Sequence, residues 1–270
     1  MNENLSLNAF TAIDRAGHTP TYIAALEEFD RIEQLQELKR LERDTIRTGS
    51  AILDVGCGFG LETESLARRC GGSGIVCGID KSEQFIVEAR RRAANNGSAI
   101  EYKVGLATAL PYADASFDHV RAERVLIYFD DVESVLAEMR RVLRPTGVLA
   151  LIEPEFCTTT VNVSDRALVR RIMAHEAETA VAQSWLPGRL ATLLADLQFA
   201  DVSMASRVVV LPQKLAADYF LGAASKAAKD KAISSDELVR WTQELASLRS
   251  AGKLFASEGF FLFVCRRLGR

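Results

Sequence analysis

The chain has 270 residues, 48% of them hydrophobic and 26% charged, and 33 basic against 36 acidic side chains leave a formal net charge of −3. So many apolar residues with so little net charge exclude a disordered chain and suit one large domain or two small ones, and the balanced charge argues against an obligate nucleic-acid binder, which carries a basic excess. The late apolar stretch Phe260 to Cys265 is far shorter than the roughly 20 residues that span a bilayer, so no membrane span is expected.

Met1 to Pro20 has neither a basic start nor an apolar centre and does not read as a secretory signal. From Pro20 to Ile46 the pattern is helical, with Ile23, Leu26, Phe29, Ile32, Leu35, Leu38 and Leu41 spaced by three. At 3.6 residues per turn such a stripe winds around the axis, so two helices are expected, with a break near Arg31. Strands then alternate with helices. Ala51–Val55, Ile75–Ile79, Ile100–Val104, a strand starting at Phe117–Val120, and Val148–Ile152 read as strands. Leu61–Cys70, a helix capped by Ser82 and stopped at Asn95-Asn96-Gly97, and an amphipathic stretch around Val132–Val142 read as helices, with a turn at Pro145-Thr146-Gly147. That order predicts a parallel sheet with right-handed crossovers.

After Pro154 helices dominate, roughly Asp165–Ala182, Pro187–Leu197, Gln213–Ala228 and Ser235–Arg249. Ser234 and Glu237 form a capping box for the last of these, and Gly252 fits its end. Val202–Leu211 and Gly259–Arg266 read as late strands that complete the sheet. The expected domain layout is a helical cap over residues 1–49 and one integrated domain over 50–270, with helical insertions at about 155–199 and 212–255. Cys57, Cys70, Cys77, Cys157 and Cys265 are odd in number and contain no Cys-x-x-Cys pair, a poor disulfide framework and a poor zinc site. They read as small buried residues kept reduced in a cytoplasm, with no metal expected.

The most informative stretch is Asp54-Val55-Gly56-Cys57-Gly58-Phe59-Gly60, which follows a strand and opens a helix, the setting of a nucleotide site. Asp80 ends the next strand, where a carboxylate can accept hydrogen bonds from ribose hydroxyls. Leu61 stands where a dinucleotide fingerprint has its third glycine, and no P-loop lysine follows. Asp54 repels a pyrophosphate and attracts an ammonium group. A ligand with an adenosine end, an amino-acid end and no phosphate fits best.

With Gly78-Ile79-Asp80, Ala109-Leu110-Pro111-Tyr112, Ser116-Phe117-Asp118 and Val142-Leu143-Arg144-Pro145-Thr146-Gly147, this loop resembles the successive motifs of the class I S-adenosylmethionine-dependent methyltransferases, most closely the branch acting on quinones and small natural products. The resemblance covers about Ser50 to Pro154. It implies a Rossmann-like α/β fold: a seven-stranded, mostly parallel sheet of order 3-2-1-4-5-7-6 with the last strand antiparallel, helices on both faces and an added helical cover. It implies S-adenosyl-L-methionine as cofactor. Gly56, Gly58 and Gly60 then shape the loop beside the methionine portion, and Asp54 faces its amino group directly or through water. Asp80 holds the ribose, Lys81 packs near the adenine, backbone at Leu106 and Ala107 edges the adenine, and Ala122 and Glu123 lie near the methionine end. The family usually reads Gly-Asp-Ala where this chain has Gly105-Leu106-Ala107, so one acceptor for the adenine amino group is missing, a cost of about 0.5–1.5 kcal/mol.

Methyl transfer from a sulfonium chiefly requires alignment, and a general base helps when the acceptor is a hydroxyl or an acidic carbon. Glu153, at the end of the fifth strand, is the candidate base. Tyr128 stands where many relatives have histidine, and His175 lies on a helical stripe with Leu168, Ile172 and Thr179. Tyr22, Phe156, Trp185 and Tyr219, with Phe220, are candidates for an aromatic substrate wall, and Arg121, Arg124 and Arg189 are the arginines available to an acidic substrate. Each has a plainer reading: Asp54 as a helix cap, Asp80 as a turn residue, Glu153 as a cap or salt-bridge partner, His175 as a structural histidine, the aromatic residues as core, and the arginines as solvated. The expected activity is transfer of a methyl group to a small-molecule acceptor (phenol, amine or activated carbon) by a monomer or homodimer that binds no nucleic acid. The rival readings are a non-catalytic S-adenosylmethionine-binding module, a macromolecule methyltransferase and, more distantly, a dehydrogenase.

Overall fold

The computed structural model describes residues 19–268, so the N-terminal stretch read above for a signal lies, up to residue 18, outside the described residues. The chain runs α1 (Thr19–Asp30), α2 (Glu33–Arg43), β1 (Ala51–Val55), α3 (Leu61–Cys70), β2 (Ile75–Asp80), α4 (Glu83–Asn96), β3 (Ile100–Val104) and β4 (Phe117–Glu123). A 3-10 turn (Leu126–Tyr128), α5 (Val132–Val142) and β5 (Leu143–Val161) follow. The remainder is α6 (Arg166–Thr179), α7 (Leu186–Asp196), β6 (Phe199–Val210), α8 (Gln213–Lys229), α9 (Ser235–Ser250) and β7 (Ala256–Arg267). The break near Arg31 separates α1 from α2, as the winding apolar stripe requires.

The sheet order is β3-β2-β1-β4-β5-β7-β6. β1 pairs in parallel with β2 (Asp54 opposite Gly78) and with β4 (Asp54 opposite Arg121), and β3 and β5 extend the parallel set outward. β7 runs antiparallel to both neighbours. Asn162 pairs with Phe255 beside β5, while Leu211 donates to Ala256 and Leu268 donates to Gln198 beside β6. β1 is buried at all five positions, which is why its residues are apolar except for Asp54.

Local chemistry accounts for the element ends. Ser82 accepts the Phe85 N–H at 3.1 Å at the start of α4, and Gly97 closes that helix in the left-handed region at φ 66°. Asp165 caps α6 through the Leu168 N–H, and Ser234 with Glu237 forms the expected capping box on α9. Two expectations change. Pro145-Thr146-Gly147 is not a turn between elements. It lies within β5, where the register against β4 slips between Phe117 and His119, so the residues form a bulge, and Thr146 sits at φ 65°. β5 also continues past Pro154 to Val161, because proline is tolerated in a strand where its missing N–H is not needed. The five cysteines are free, but Cys157 is exposed rather than buried.

The chain divides into two compact units. One comprises Glu37–Glu153, Leu186–Ser206 and Phe261–Arg270. Within it Ile46, Ile52, Leu66, Cys70 and Val76 form one apolar cluster, and Cys57, Ile86, Ala89, Ala93 and Tyr102 another, so α3 and α4 pack onto β1–β3. The other comprises residues up to Gln36, Pro154–Trp185 and Arg207–Phe260. Its centre is Trp241 of α9, fully buried, whose indole N–H donates to the Phe220 carbonyl of α8 at 3.1 Å. Ala216, Ala217, Ala223, Ala224 and Ala227 of α8 are buried small side chains that let neighbouring helices approach closely. No helix of the described residues is long and apolar enough to cross a membrane.

Candidate active site

The loop after β1 is shaped by close approach. Gly56 lies at φ 70°, and a Cβ there would fall 2.3 Å from a methyl of Val125; Gly60 lies at φ 82°, and a Cβ there would fall 2.3 Å from the Tyr102 hydroxyl. Side chains are excluded at both positions on two counts, backbone conformation and space. The Gly56 and Cys57 N–H groups donate to the Ile79 carbonyl at 2.7 and 3.1 Å. Asp80 completes the frame: one carboxylate oxygen accepts the Gly58 N–H and the other the Ser82 N–H, both at 2.9 Å. A carboxylate has about four acceptor positions, so two remain for a pair of hydroxyls. Burial raises the Asp80 pKa, against the pull of the Ser82 and Gly58 N–H groups. A bare glycine backbone beside a partly exposed, prearranged carboxylate at the carboxyl ends of parallel strands fits an adenosyl ligand.

Asp54 is placed beneath this loop, 1% exposed. It accepts from Arg121 Nη1 at 2.9 Å and from the Thr63 hydroxyl at 2.6 Å. Arg121 is itself buried, and its other nitrogens donate to Glu42 at 2.7 Å and Glu123 at 2.9 Å. Lys39 adds a bridge to Glu123 at 2.9 Å and to Glu62 at 3.4 Å, and Arg43 pairs with Glu62 at 2.8 Å. His119 Nε2 lies 3.5 Å from the same Glu42 oxygen. Burial opposes the charge on Glu123, yet Lys39, Arg121 and Arg124 outweigh it and hold its carboxyl well below the usual range. Burial wins at Asp54, whose pKa is raised despite Arg121 and Thr63. Arg121 is therefore not a solvated arginine open to substrate. It sits beside Asp54 on the neighbouring strand and holds three carboxylates at once.

Glu153 is fully buried. One of its oxygens accepts the N–H groups of Val125 at 3.1 Å and Leu126 at 2.9 Å, and the other has no hydrogen-bond partner. Burial lifts its pKa to about 8, although the two N–H groups pull it down. Tyr128 ends the 3-10 turn that those N–H groups begin and is half-buried. Ala122 is buried at the end of β4, Lys81 is exposed, and Leu106 is 58% exposed, its carbonyl accepting the Ala109 N–H beside Ala107.

All the residues expected at the cofactor, together with Tyr128 and Glu153, thus fall in one compact unit. Tyr22, Phe156, His175, Trp185 and Tyr219 belong to the other. There Tyr22 and Phe156 are buried, Trp185 is 66% exposed, Tyr219 sets its ring edge-on to Phe220, and His175 Nε2 lies 3.1 Å from Asp230 at the end of α8. Arg189 points to Glu133 at 3.5 Å. The sequence reading missed Lys39, Glu42, Thr63 and Val125. The one available signal was Arg121 itself, a long cation inside a strand whose neighbours are apolar.

Residues 53–151 match a family model described as a methyltransferase domain. An uncharacterised 37.1 kDa protein in transposon TN4556 of Streptomyces fradiae is 32% identical over 92% of this chain and 72% of its own length. A demethylmenaquinone methyltransferase of Lactobacillus johnsonii is 36% identical over 40% of this chain and 45% of its own length, so the match spans less than half of that enzyme. Among solved structures, phosphoethanolamine N-methyltransferase 2 of Haemonchus contortus, in complex with S-adenosyl-L-methionine, is similar with a TM-score of 0.62 and 18% identity, over 98% of this chain and 60% of that one. The chain belongs to the class I S-adenosylmethionine-dependent methyltransferases, whose cofactor is S-adenosylmethionine.

Proposed function

We propose that this protein transfers a methyl group from S-adenosylmethionine to a small-molecule acceptor, a phenol, an amine or an activated carbon, by in-line displacement. The observation that carries the reading is the glycine loop framed by Asp80, with two backbone N–H groups fixing the carboxylate and two acceptor positions left over. The likeness to a demethylmenaquinone methyltransferase supports an acceptor of the quinone or natural-product kind. When bound, the cofactor supplies an electrophilic methyl carbon with a neutral thioether as leaving group.

The chain's residues do the aligning. Gly56, Gly58 and Gly60 admit the methionine portion against bare backbone, Ala122 and Glu123 border it, and Asp54 acts from below through the charge network. Asp80 holds the ribose, and Lys81 with the Leu106–Ala107 backbone edges the adenine. For a hydroxyl or carbon acceptor, the partnerless oxygen of Glu153 takes the proton, and a pKa of about 8 suits uptake near neutral pH. The five free cysteines support a reducing, cytoplasmic setting.

Calorimetric titration tests the reading: S-adenosylhomocysteine binds and NAD gives no heat. Transfer of label from methyl-labelled S-adenosylmethionine to members of a panel of phenols, amines and quinones then identifies the acceptor class. Heat with NAD and none with S-adenosylhomocysteine overturns the assignment, and binding without transfer to any of the three classes overturns the enzymatic part.

A further inference from the structure

Glu153 has a second oxygen whose work is independent of any proton it takes up. That oxygen accepts two consecutive backbone N–H groups, of Val125 at 3.1 Å and of Leu126 at 2.9 Å. These are the first N–H groups of the 3-10 turn Leu126–Tyr128, which no carbonyl inside the turn can satisfy. Arg124, just before them, is held at φ 54°, a conformation that non-glycine side chains seldom adopt, and its N–H donates to the Ile152 carbonyl at 2.8 Å. The turn after β4 is therefore a strained backbone pinned from β5 at three successive N–H groups, two of them by one carboxylate.

What the turn carries is Val125. Its side chain is the one seated on Gly56, so close that a Cβ at Gly56 would lie 2.3, 3.0 and 3.2 Å from three of its carbons. Gly56 in turn donates to the Ile79 carbonyl at 2.7 Å and opens the loop that Asp80 frames. A continuous path of contacts leads from the Glu153 carboxylate through the Val125 backbone and methyls to the glycine loop. Two charged groups act on Glu153 besides these N–H groups, Glu123, which raises its pKa, and Arg124, which lowers it.

We propose that Glu153 is a positioning residue for the cofactor loop, its carboxylate holding the Val125 backbone so that the Val125 side chain braces Gly56. The proposal rests on the reading of that loop as the S-adenosylmethionine site, and it adds a role in binding that a general base does not have. It follows that an oxygen acceptor at residue 153 is needed for affinity, whereas a negative charge is not.

The test is titration of S-adenosylhomocysteine into wild type, Glu153→Gln, Glu153→Ala and Val125→Ala, with a thermal melt of each. The Gln amide keeps an acceptor oxygen at the same place and retains wild-type affinity within about threefold, whereas Ala strands two N–H groups and weakens binding by roughly tenfold or more. Val125→Ala leaves the hydrogen bonds intact, removes the brace and weakens binding in the same direction, which keeps the test open if Glu153→Ala does not fold. Weakened binding in both Ala variants, measured well below their melting temperatures and restored by Gln, supports the proposal. Lowered melting temperatures with unchanged affinity overturn it and leave Glu153 a purely structural cap. Loss of affinity in the Gln variant equal to that in Ala also overturns it, because charge would then be the requirement. If wild type itself does not bind S-adenosylhomocysteine, the site reading fails and the proposal with it.

Discussion

Arg121 concentrates most of the electrostatic risk in the fold. Three carboxylates, Glu42, Asp54 and Glu123, each take one nitrogen of its guanidinium, and all four side chains are buried or nearly so. Ion pairs in such surroundings add little net stability, because desolvation offsets attraction, but removing one partner strands the others. Arg121→Met fills a similar volume and leaves three carboxylates without their shared cation. A loss of about 3–5 kcal/mol is expected, read as a lower urea midpoint and a melting temperature down by roughly 10 °C; a loss below about 1 kcal/mol would show that Lys39 and water take over the role. The residue scale is also where the sequence told least. Gly56, Gly58, Gly60 and Asp80 were legible because motif spacing after a strand carries local backbone chemistry. The partners of Arg121 were not, since Glu42 comes from a helix before β1 and Asp54 from β1, some 67 positions earlier, and no local pattern encodes such a meeting. The reach of Glu153 to Val125 and Leu126 was hidden for the same reason.

Elements were read more accurately than residues, and the failures have a common cause. β1, α3 and β3 match their sequence-derived limits because each is bounded by its own turn chemistry: glycines before and after α3, and Asn96-Gly97 before β3. β5 did not match. Pro145-Thr146-Gly147 has the composition of a turn, yet pairing with β4 on either side draws it into the strand as a bulge. Thr146 bears the strain of that override: a β-branched side chain at φ 65°, where glycine suffers no penalty. Its carbonyl accepts from Arg266 at 3.2 Å, a bond that does not depend on the side chain. Thr146→Gly is therefore expected to stabilise the protein by about 1 kcal/mol, the relief of left-handed strain less the added freedom of the unfolded chain. Chemical denaturation of the purified variant checks it. Destabilisation would mean that the Thr146 side chain supports the bulge.

At the scale of the whole molecule, the alternation of strands and helices gave a parallel sheet but left its order open, and the order was anticipated only through the family resemblance that the succession of motifs carries. Chain order, however, is not the order of packing. The unit that carries the glycine loop is not a contiguous stretch: to Glu37–Glu153 it adds Leu186–Ser206 and Phe261–Arg270. The later pieces supply specific bonds within that unit. Arg267 donates to the Arg140 carbonyl at 3.0 Å and also reaches the Leu143 carbonyl, Leu268 donates to the Gln198 carbonyl at 3.4 Å, and Ser203 bonds to the Val264 carbonyl at 3.3 Å. Removing them strips neighbours from the end of α5 and the start of β5, the segment whose far end presents Glu153 to the turn after β4. Although the family model matches within residues 53–151, a fragment of residues 37–153 is expected to lack cooperative unfolding and to give no heat with S-adenosylhomocysteine, whereas the full chain does both. Circular dichroism melts and titration of the two proteins side by side decide the matter. A fragment that melts sharply and binds would show that the late strands serve only the acceptor side, and that the motif-bearing half folds on its own.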